Sequence, residues 1–171
     1  YVTNGAIADY GVITAVTDPD APRNQRLSMF WVDLHQPGVS RRRLGKSVWK
    51  PSDLTRLTFK DAAVPAAHLM GTRGRGLQQV LTIFTHSRVP ISALTLGSAA
   101  GAMDMALERL RRRKVFGRPL SDFQAKAFEA ADYYTRLQAA RAMVIEACRA
   151  VEAESDFRLQ ASMAKYLAVD I

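Results

Sequence analysis

The residues of this chain best placed to do chemistry are basic. Arg111-Arg112-Arg113-Lys114 and Arg41-Arg42-Arg43 are its two cationic runs. The first closes a helical stretch and is followed at once by Phe116 and Gly117. A cation there complements the helix dipole, and a guanidinium can grip a pyrophosphate through paired hydrogen bonds. Either run also reads as a solvated face. Ser87 follows His86 directly, and neighbours on a helix point about 100° apart, so they form no nucleophile–base pair. Cys148 falls on a stripe of core spacing and reads as a packed, inert thiol. Asp53, Asp61 and Asp104 have no evident partner and read as surface or capping carboxylates. Tyr1-Val2-Thr3-Asn4-Gly5 is an aromatic–X–hydroxyl step that turns at Asn-Gly, in itself a hairpin signal. A threonine hydroxyl beside an aromatic ring can also serve a planar cofactor.

Several chemistries are excluded. Three His, at positions 35, 68 and 86, and a single Cys leave no metal-ligand spacing and no disulfide framework, so no metal site is expected. The lone thiol suits a reducing, cytoplasmic setting. Gly71-Thr72-Arg73-Gly74-Arg75-Gly76 puts glycines at a helix entry, but Leu77 stands where a phosphate loop needs Lys and then Ser or Thr. The segment reads as a flexible inter-domain link. Twenty-four Lys and Arg against 16 Asp and Glu give a net charge of +8, which favours anionic ligands. No nucleic-acid-binding motif or interleaved aromatics accompany it, so nucleic acid is not the expected partner. The longest uncharged stretch, residues 89–103, contains Pro90, Gly97 and Gly101. It is too short and too interrupted to cross a bilayer.

The elements that must position these residues fall into two halves. Up to about residue 70, short β-branched and large apolar runs are separated by turns such as Asp18-Pro19-Asp20-Ala21-Pro22 and Pro37-Gly38. That pattern predicts an antiparallel β-sandwich or barrel over residues 1–73. From Gly76 the period becomes 3.6. Residues 77–112 predict one long helix with core stripe Leu77, Val80, Leu81, Phe84, Ile91, Leu94, Ser98, Ala102 and Met105, kinked at Pro90. A second helix, capped by Ser121 or Asp122, carries Phe128, Ala131, Tyr134, Leu137, Ala140, Val144 and Cys148 to about residue 154. A third, capped by Asp156, carries Leu159, Met163, Tyr166 and Leu167. Residues 74–171 thus predict an antiparallel helical bundle, and the whole a multi-domain α+β chain. It begins at Tyr1 inside a strand and stops at Ile171 inside an amphipathic run, and so reads as part of a longer protein.

The order of these features resembles one family. Tyr1-Val2-Thr3-Asn4-Gly5-Ala6-Ile7-Ala8-Asp9 is similar to the (W/Y/F)-I-T-N-G-x-x-A-D segment of the acyl-CoA dehydrogenases. Leu57-Thr58-Phe59-Lys60-Asp61-Ala62-Ala63-Val64-Pro65 resembles their L-x-F-x-D-V-x-V-P. Gly74-Arg75-Gly76-Leu77 resembles G-x-G-F, and residues 112–119 resemble E-R-x-x-F-G-x-P. Ser121-Asp122-Phe123-Gln124 stands where the family has x-x-F-Q. The family's D-T-R is replaced by Asp53-Leu54-Thr55-Arg56.

The resemblance implies an FAD-dependent oxidoreductase that removes the α proton of an acyl-CoA thioester and transfers the β hydrogen as hydride. Its electrons would leave through an electron-transfer flavoprotein. Residues 1–73 would be most of its middle β domain, and 74–171 the first part of its C-terminal helical domain. Tyr1, Val2 and Thr3 would lie at the flavin, with Thr3 hydrogen-bonded near its reactive nitrogen. Arg113, Phe116 and Gln124 would reach the FAD of a neighbouring subunit, which implies a homodimer or homotetramer. Thr85, His86, Ser87 and Arg88 would flank the acyl thioester. In some members the catalytic Glu directly precedes the arginine matching Arg88. Ser87 occupies that position here, so no catalytic base is expected in this chain, and one is expected beyond Ile171. Alternatives on the same scaffold are an acyl-CoA oxidase, a flavin monooxygenase, or a silent subunit that completes a partner's FAD site.

Overall fold

The computed structural model describes residues 1–171, and the chain is α+β. It divides into two compact units, Tyr1–Leu81 and Thr82–Ile171. The first holds β1 (Val2–Thr3), β2 (Tyr10–Val16), β3 (Leu27–Asp33), β4 (Val39–Leu44), β5 (Leu54–Phe59) and β6 (Leu69–Met70). They form two antiparallel three-stranded sheets, ordered β1-β5-β4 and β2-β3-β6. The β2–β3 ladder runs from Tyr10↔Asp33 to Val16↔Leu27, and β4–β5 from Val39↔Phe59 to Leu44↔Leu54. On β3 and just after it, Met29, Val32 and Leu34 are buried, while Trp31 turns outward and stacks on Tyr10 at 5.2 Å. A stacked aromatic pair of this kind contributes about 0.5–1.5 kcal/mol beyond its area.

Two expectations fail in this unit. Asn4-Gly5 is not the tip of a hairpin, because β1 pairs with β5 rather than with the next strand. Residues 71–76 are not a free link either. The Gly74 amide donates to the buried Ser28 hydroxyl at 2.8 Å, and Arg73 donates to the Thr17 carbonyl at 2.9 Å. The Gln79 side chain, in the next turn, donates to the Met70 carbonyl at 3.0 Å. The glycines let the backbone lie down on β3 rather than swing.

The second unit is helical. α1 (Gly76–Arg112) enters it from the β unit. A two-stranded hairpin, β7 (Lys114–Val115) with β8 (Arg118–Pro119), follows, and then α2 (Gln124–Glu152) and α3 (Arg158–Asp170). α1 runs unbroken through Pro90, although the ring removes the amide that would bond the His86 carbonyl. Nearby, the buried Ser92 hydroxyl donates to the Arg88 carbonyl at 2.6 Å. α2 lacks the expected cap. Residues 120–122 form a 3-10 turn closed by the Phe123 amide on the Leu120 carbonyl, so Phe123 is the N-cap and no side chain caps it. The N-cap of α3 is Phe157 rather than the expected Asp156, which stands one residue earlier, accepts the Arg158 amide at 3.2 Å and bonds the same residue's guanidinium.

The buried faces differ from the large-apolar stripes. Val89, Val144, Ala147, Ala161 and Ala164 form the core, with Leu96, Met143, Val151 and Phe157 packed against it. Leu81, Phe84, Ile91, Leu94 and Met105 of α1 stay exposed, as do Phe128 and Tyr134 of α2 and Leu159, Met163 and Tyr166 of α3. Cys148, expected in the core, is exposed. On α3 the buried face is Ala161, Ala164 and Ala168, spaced i, i+3 and i+7. Small side chains let the α3 backbone come close to the core, and the bulkier residues are left pointing away.

Candidate functional site

The Tyr1–Thr3 strand end is fixed by residues distant in sequence. β1 pairs Val2 with Thr55 and Thr3 with Leu54. The chain then turns at Asn4 in the left-handed region (φ 61°), which asparagine tolerates better than most residues. Gly5 must follow, because a Cβ there would sit 3.0 Å from the Thr55 Cβ. Asp53 holds this turn. Its carbonyl accepts the Asn4 amide at 3.1 Å, and its carboxylate accepts the Ala6 amide at 3.0 Å and the Thr55 hydroxyl. Thr55 is fully buried. The hydrogen bond from Thr55 lowers the Asp53 carboxyl from its ordinary value, outweighing the opposing effect of burial, and the Ala6 amide and the Arg43 charge add smaller help. Asp53 is therefore not the unpartnered surface carboxylate that its sequence context suggests. Beyond this anchor, Tyr1 is 82% exposed and Thr3 is exposed with no hydrogen bond to its hydroxyl within the chain.

The Arg113–Gln124 group sits on the hairpin after α1. Phe116 and Gly117 are its two turn residues, both with positive φ (51° and 81°), between the pairs Val115↔Arg118 and Lys114↔Pro119. A two-residue turn with both φ values positive is the type I′ geometry that fits the twist of a hairpin. It leaves the Phe116 ring 92% exposed. The loop is fastened behind the ring, since the Leu120 amide donates to the Arg113 carbonyl at 2.8 Å and the Arg118 guanidinium lies 4.2 Å over the Phe123 ring. Arg112 is tied to Glu108 in an i, i+4 ion pair. Arg113 carries no such pair, and with Met105 and Arg109 it lines a surface depression of about 400 Å³. Gln124, the first residue of α2, is exposed.

Thr85, His86, Ser87 and Arg88 occupy one turn of α1 and do not converge. His86 meets the Phe157 ring edge-on at 4.7 Å, and Arg88 donates to the Ser162 hydroxyl at 3.3 Å. The Ser87 hydroxyl donates back to the Phe84 carbonyl at 3.1 Å. No group of three or more His, Cys, Asp or Glu could hold a metal, and no helix is long and apolar enough to cross a membrane.

Comparison with known proteins decides the family. The model of the acyl-CoA dehydrogenase C-terminal domain matches residues 74–171. The chain belongs to the acyl-CoA dehydrogenase family. It is 35% identical to the probable acyl-CoA dehydrogenase FadE25 of Mycobacterium tuberculosis, over 100% of this chain and 44% of that protein. It is 31% identical to CarC, a subunit of the caffeyl-CoA reductase-Etf complex of Acetobacterium woodii, over 100% of this chain and 45% of CarC. The solved structure of butyryl-CoA dehydrogenase from Megasphaera elsdenii superposes with a TM-score of 0.93 at 31% identity, over 98% of this chain and 44% of that one. The chain thus spans less than half the length of these relatives. Acyl-CoA dehydrogenases are flavoprotein oxidoreductases, FAD-dependent in general. The side chains here suit such a group: an exposed Tyr1 ring beside the unengaged Thr3 hydroxyl, and an exposed Phe116 ring near the unpaired Arg113.

Proposed function

We propose that this chain is the central part of an FAD-dependent dehydrogenase acting on an acyl-CoA thioester, with residues 1–73 in its middle β domain and 74–171 in its C-terminal helical domain. The observation that carries the reading is the Tyr1–Thr3 strand end, an exposed aromatic–X–hydroxyl step within a chain of this family. When bound, the flavin would accept the substrate's β hydrogen as hydride. The Tyr1 ring supplies a flat surface for a planar cofactor, and the Thr3 hydroxyl and strand amides supply hydrogen bonds at its edge. Arg113 supplies a charge-assisted contact for a pyrophosphate, Phe116 a stacking face, and Gln124 an amide able both to donate and to accept. These three serve the FAD of a neighbouring copy, so the working enzyme is a homo-oligomer.

Arg88, at a helix turn beside Thr85, His86 and Ser87, supplies positive charge near the thioester. Ser87 cannot remove the α proton, because an unactivated hydroxyl is a poor base and this one is engaged with the Phe84 carbonyl. This reading takes its base from outside this chain. CarC's place in a reductase complex with an electron-transfer flavoprotein supports such a protein as an electron-transfer partner. Anaerobic addition of mixed acyl-CoA thioesters to the purified full-length protein tests the reading. Bleaching of bound flavin supports it. A flavin that stays oxidised points to the silent-subunit alternative, and rapid reoxidation of bleached flavin by oxygen points to the oxidase.

A further inference from the structure

We propose that Arg41 and Asp53 clamp Ala6 by its carbonyl and its amide and thereby position Thr3. The inference rests on Thr3 being the flavin contact. The Ala6 amide donates to the Asp53 carboxylate at 3.0 Å, and the Ala6 carbonyl accepts from Arg41 Nη1 at 3.3 Å. Arg41 lies in β4 and Asp53 directly precedes β5 of the same sheet, 35 and 47 residues from Ala6 in sequence. β1 is only two residues long, so its ladder alone fixes the strand end weakly. The clamp, the Asn4 amide bond and the Gly5–Thr55 contact determine where that end lies.

Two features set these residues apart from ordinary loop ties. Arg41 stands opposite Leu57 and two residues from Val39 on the half-buried face of β4, the face on which Arg43 stands opposite the fully buried Thr55. In addition, each clamp residue keeps one terminal atom, Arg41 Nη2 and Asp53 Oδ1, buried without a hydrogen-bond partner. Shielding such atoms is unfavourable for folding. Charged groups kept at that cost suit a segment whose exact placement matters to chemistry, where a displacement of about 1 Å can lower the rate about a hundredfold. Arg41 and Asp53 are thus positioning residues that act through Ala6.

The test uses the full-length holoenzyme with Arg41→Met and Asp53→Ala, and with Arg41→Lys and Asp53→Asn as conservative controls. Both disruptive variants are expected to shift the visible spectrum of bound flavin and to lower kcat by about ten- to a hundredfold with KM for acyl-CoA unchanged. Asp53→Asn, which still offers an acceptor to Ala6 and Thr55, is expected to restore both readouts. Arg41→Met keeps an apolar stem and loses only the donors, so it carries the test if Asp53→Ala does not fold. A wild-type spectrum and kcat in Arg41→Met, with or without a lower Tm, overturns the clamp. Wild-type protein that takes up no flavin overturns the parent reading instead, and that failure is visible before any variant is made.

Discussion

Gly5→Ala probes the anchor of the candidate flavin strand with the smallest possible change. The added Cβ would lie 3.0 Å from the Thr55 Cβ and 3.3 Å from both the Val2 Cβ and the Val2 carbonyl oxygen. Carbon atoms normally settle at about 3.5–4.0 Å, so the Thr55 and Val2 side chains must each yield a few tenths of an ångström at once. Thr55 has little room to yield, being fully buried, β-branched and tied through its hydroxyl to Asp53. Gly5 has no positive φ to penalise alanine, so the cost is steric alone. Overpacking costs about 1–3 kcal/mol, and the stiffer unfolded chain returns about 0.4–1 kcal/mol. The net expectation is a loss of about 1–2 kcal/mol. Gly45→Ala is the matched control, since a Cβ at Gly45 meets nothing within 4 Å, and its effect should stay within about 0.5 kcal/mol. Urea denaturation of the full-length protein, followed by the fluorescence of Trp31 and Trp49 in the β unit, reads both. Equal stability of Gly5→Ala and Gly45→Ala would refute the close approach of Gly5 to Thr55.

Other outcomes follow from the same contacts. Arg113→Ala should weaken FAD retention by about ten- to a hundredfold, the value of one charge-assisted hydrogen bond; unchanged flavin content after dialysis would remove Arg113 from the site. Gly117→Val should destabilise the β7–β8 hairpin by about 1–2 kcal/mol, because φ of 81° is costly for any side chain; thermal melts of the variant read it. Asp156 is held down to about 2 from 3.8, chiefly by its hydrogen bond from the Arg158 guanidinium. A lowered folded value means that its support of α3 is present above pH 3.8 and fades as the pH falls toward 2. Far-ultraviolet circular dichroism should therefore show wild type less stable at pH 2 than at pH 5, with that part of the drop missing in Asp156→Asn. Cys148, exposed on α2, should react with a thiol reagent in native protein, as peptide mass spectrometry would show.

The strands and the long helices were legible because their periods are strong. The turn-separated β-branched and apolar runs before residue 70 read as strands, and residues 77–112 as one helix within a residue of its observed bounds. What the pattern could not give is which of two apolar faces a helix buries. α3 offers Leu159, Met163 and Tyr166 on one side and Ala161, Ala164 and Ala168 on the other, and hydrophobicity favours the first. Close packing selects the second. Cys148 was misplaced for the same reason: Ala147, one position earlier, takes the buried place. The β7–β8 hairpin is too short for any periodic signal, and Phe116-Gly117 simply reads as the end of a helix. The candidate flavin strand could be located by motif, but its anchor could not. Asp53 lies 47 residues from Ala6, and nothing local marks Asp53 or Arg41 as its partners.

The most direct measurement is the visible spectrum of flavin bound to full-length Thr3→Val, compared with wild type. Valine keeps the shape and the β-branching of threonine and removes only the hydroxyl. If Thr3 contacts the flavin, wild type carries the two-band absorption of an oxidised flavin, and the variant shows those bands displaced together with slower bleaching by acyl-CoA. Superimposable spectra and equal bleaching rates would contradict the account, because the exposed hydroxyl at the end of β1 would then have no part in the cofactor site.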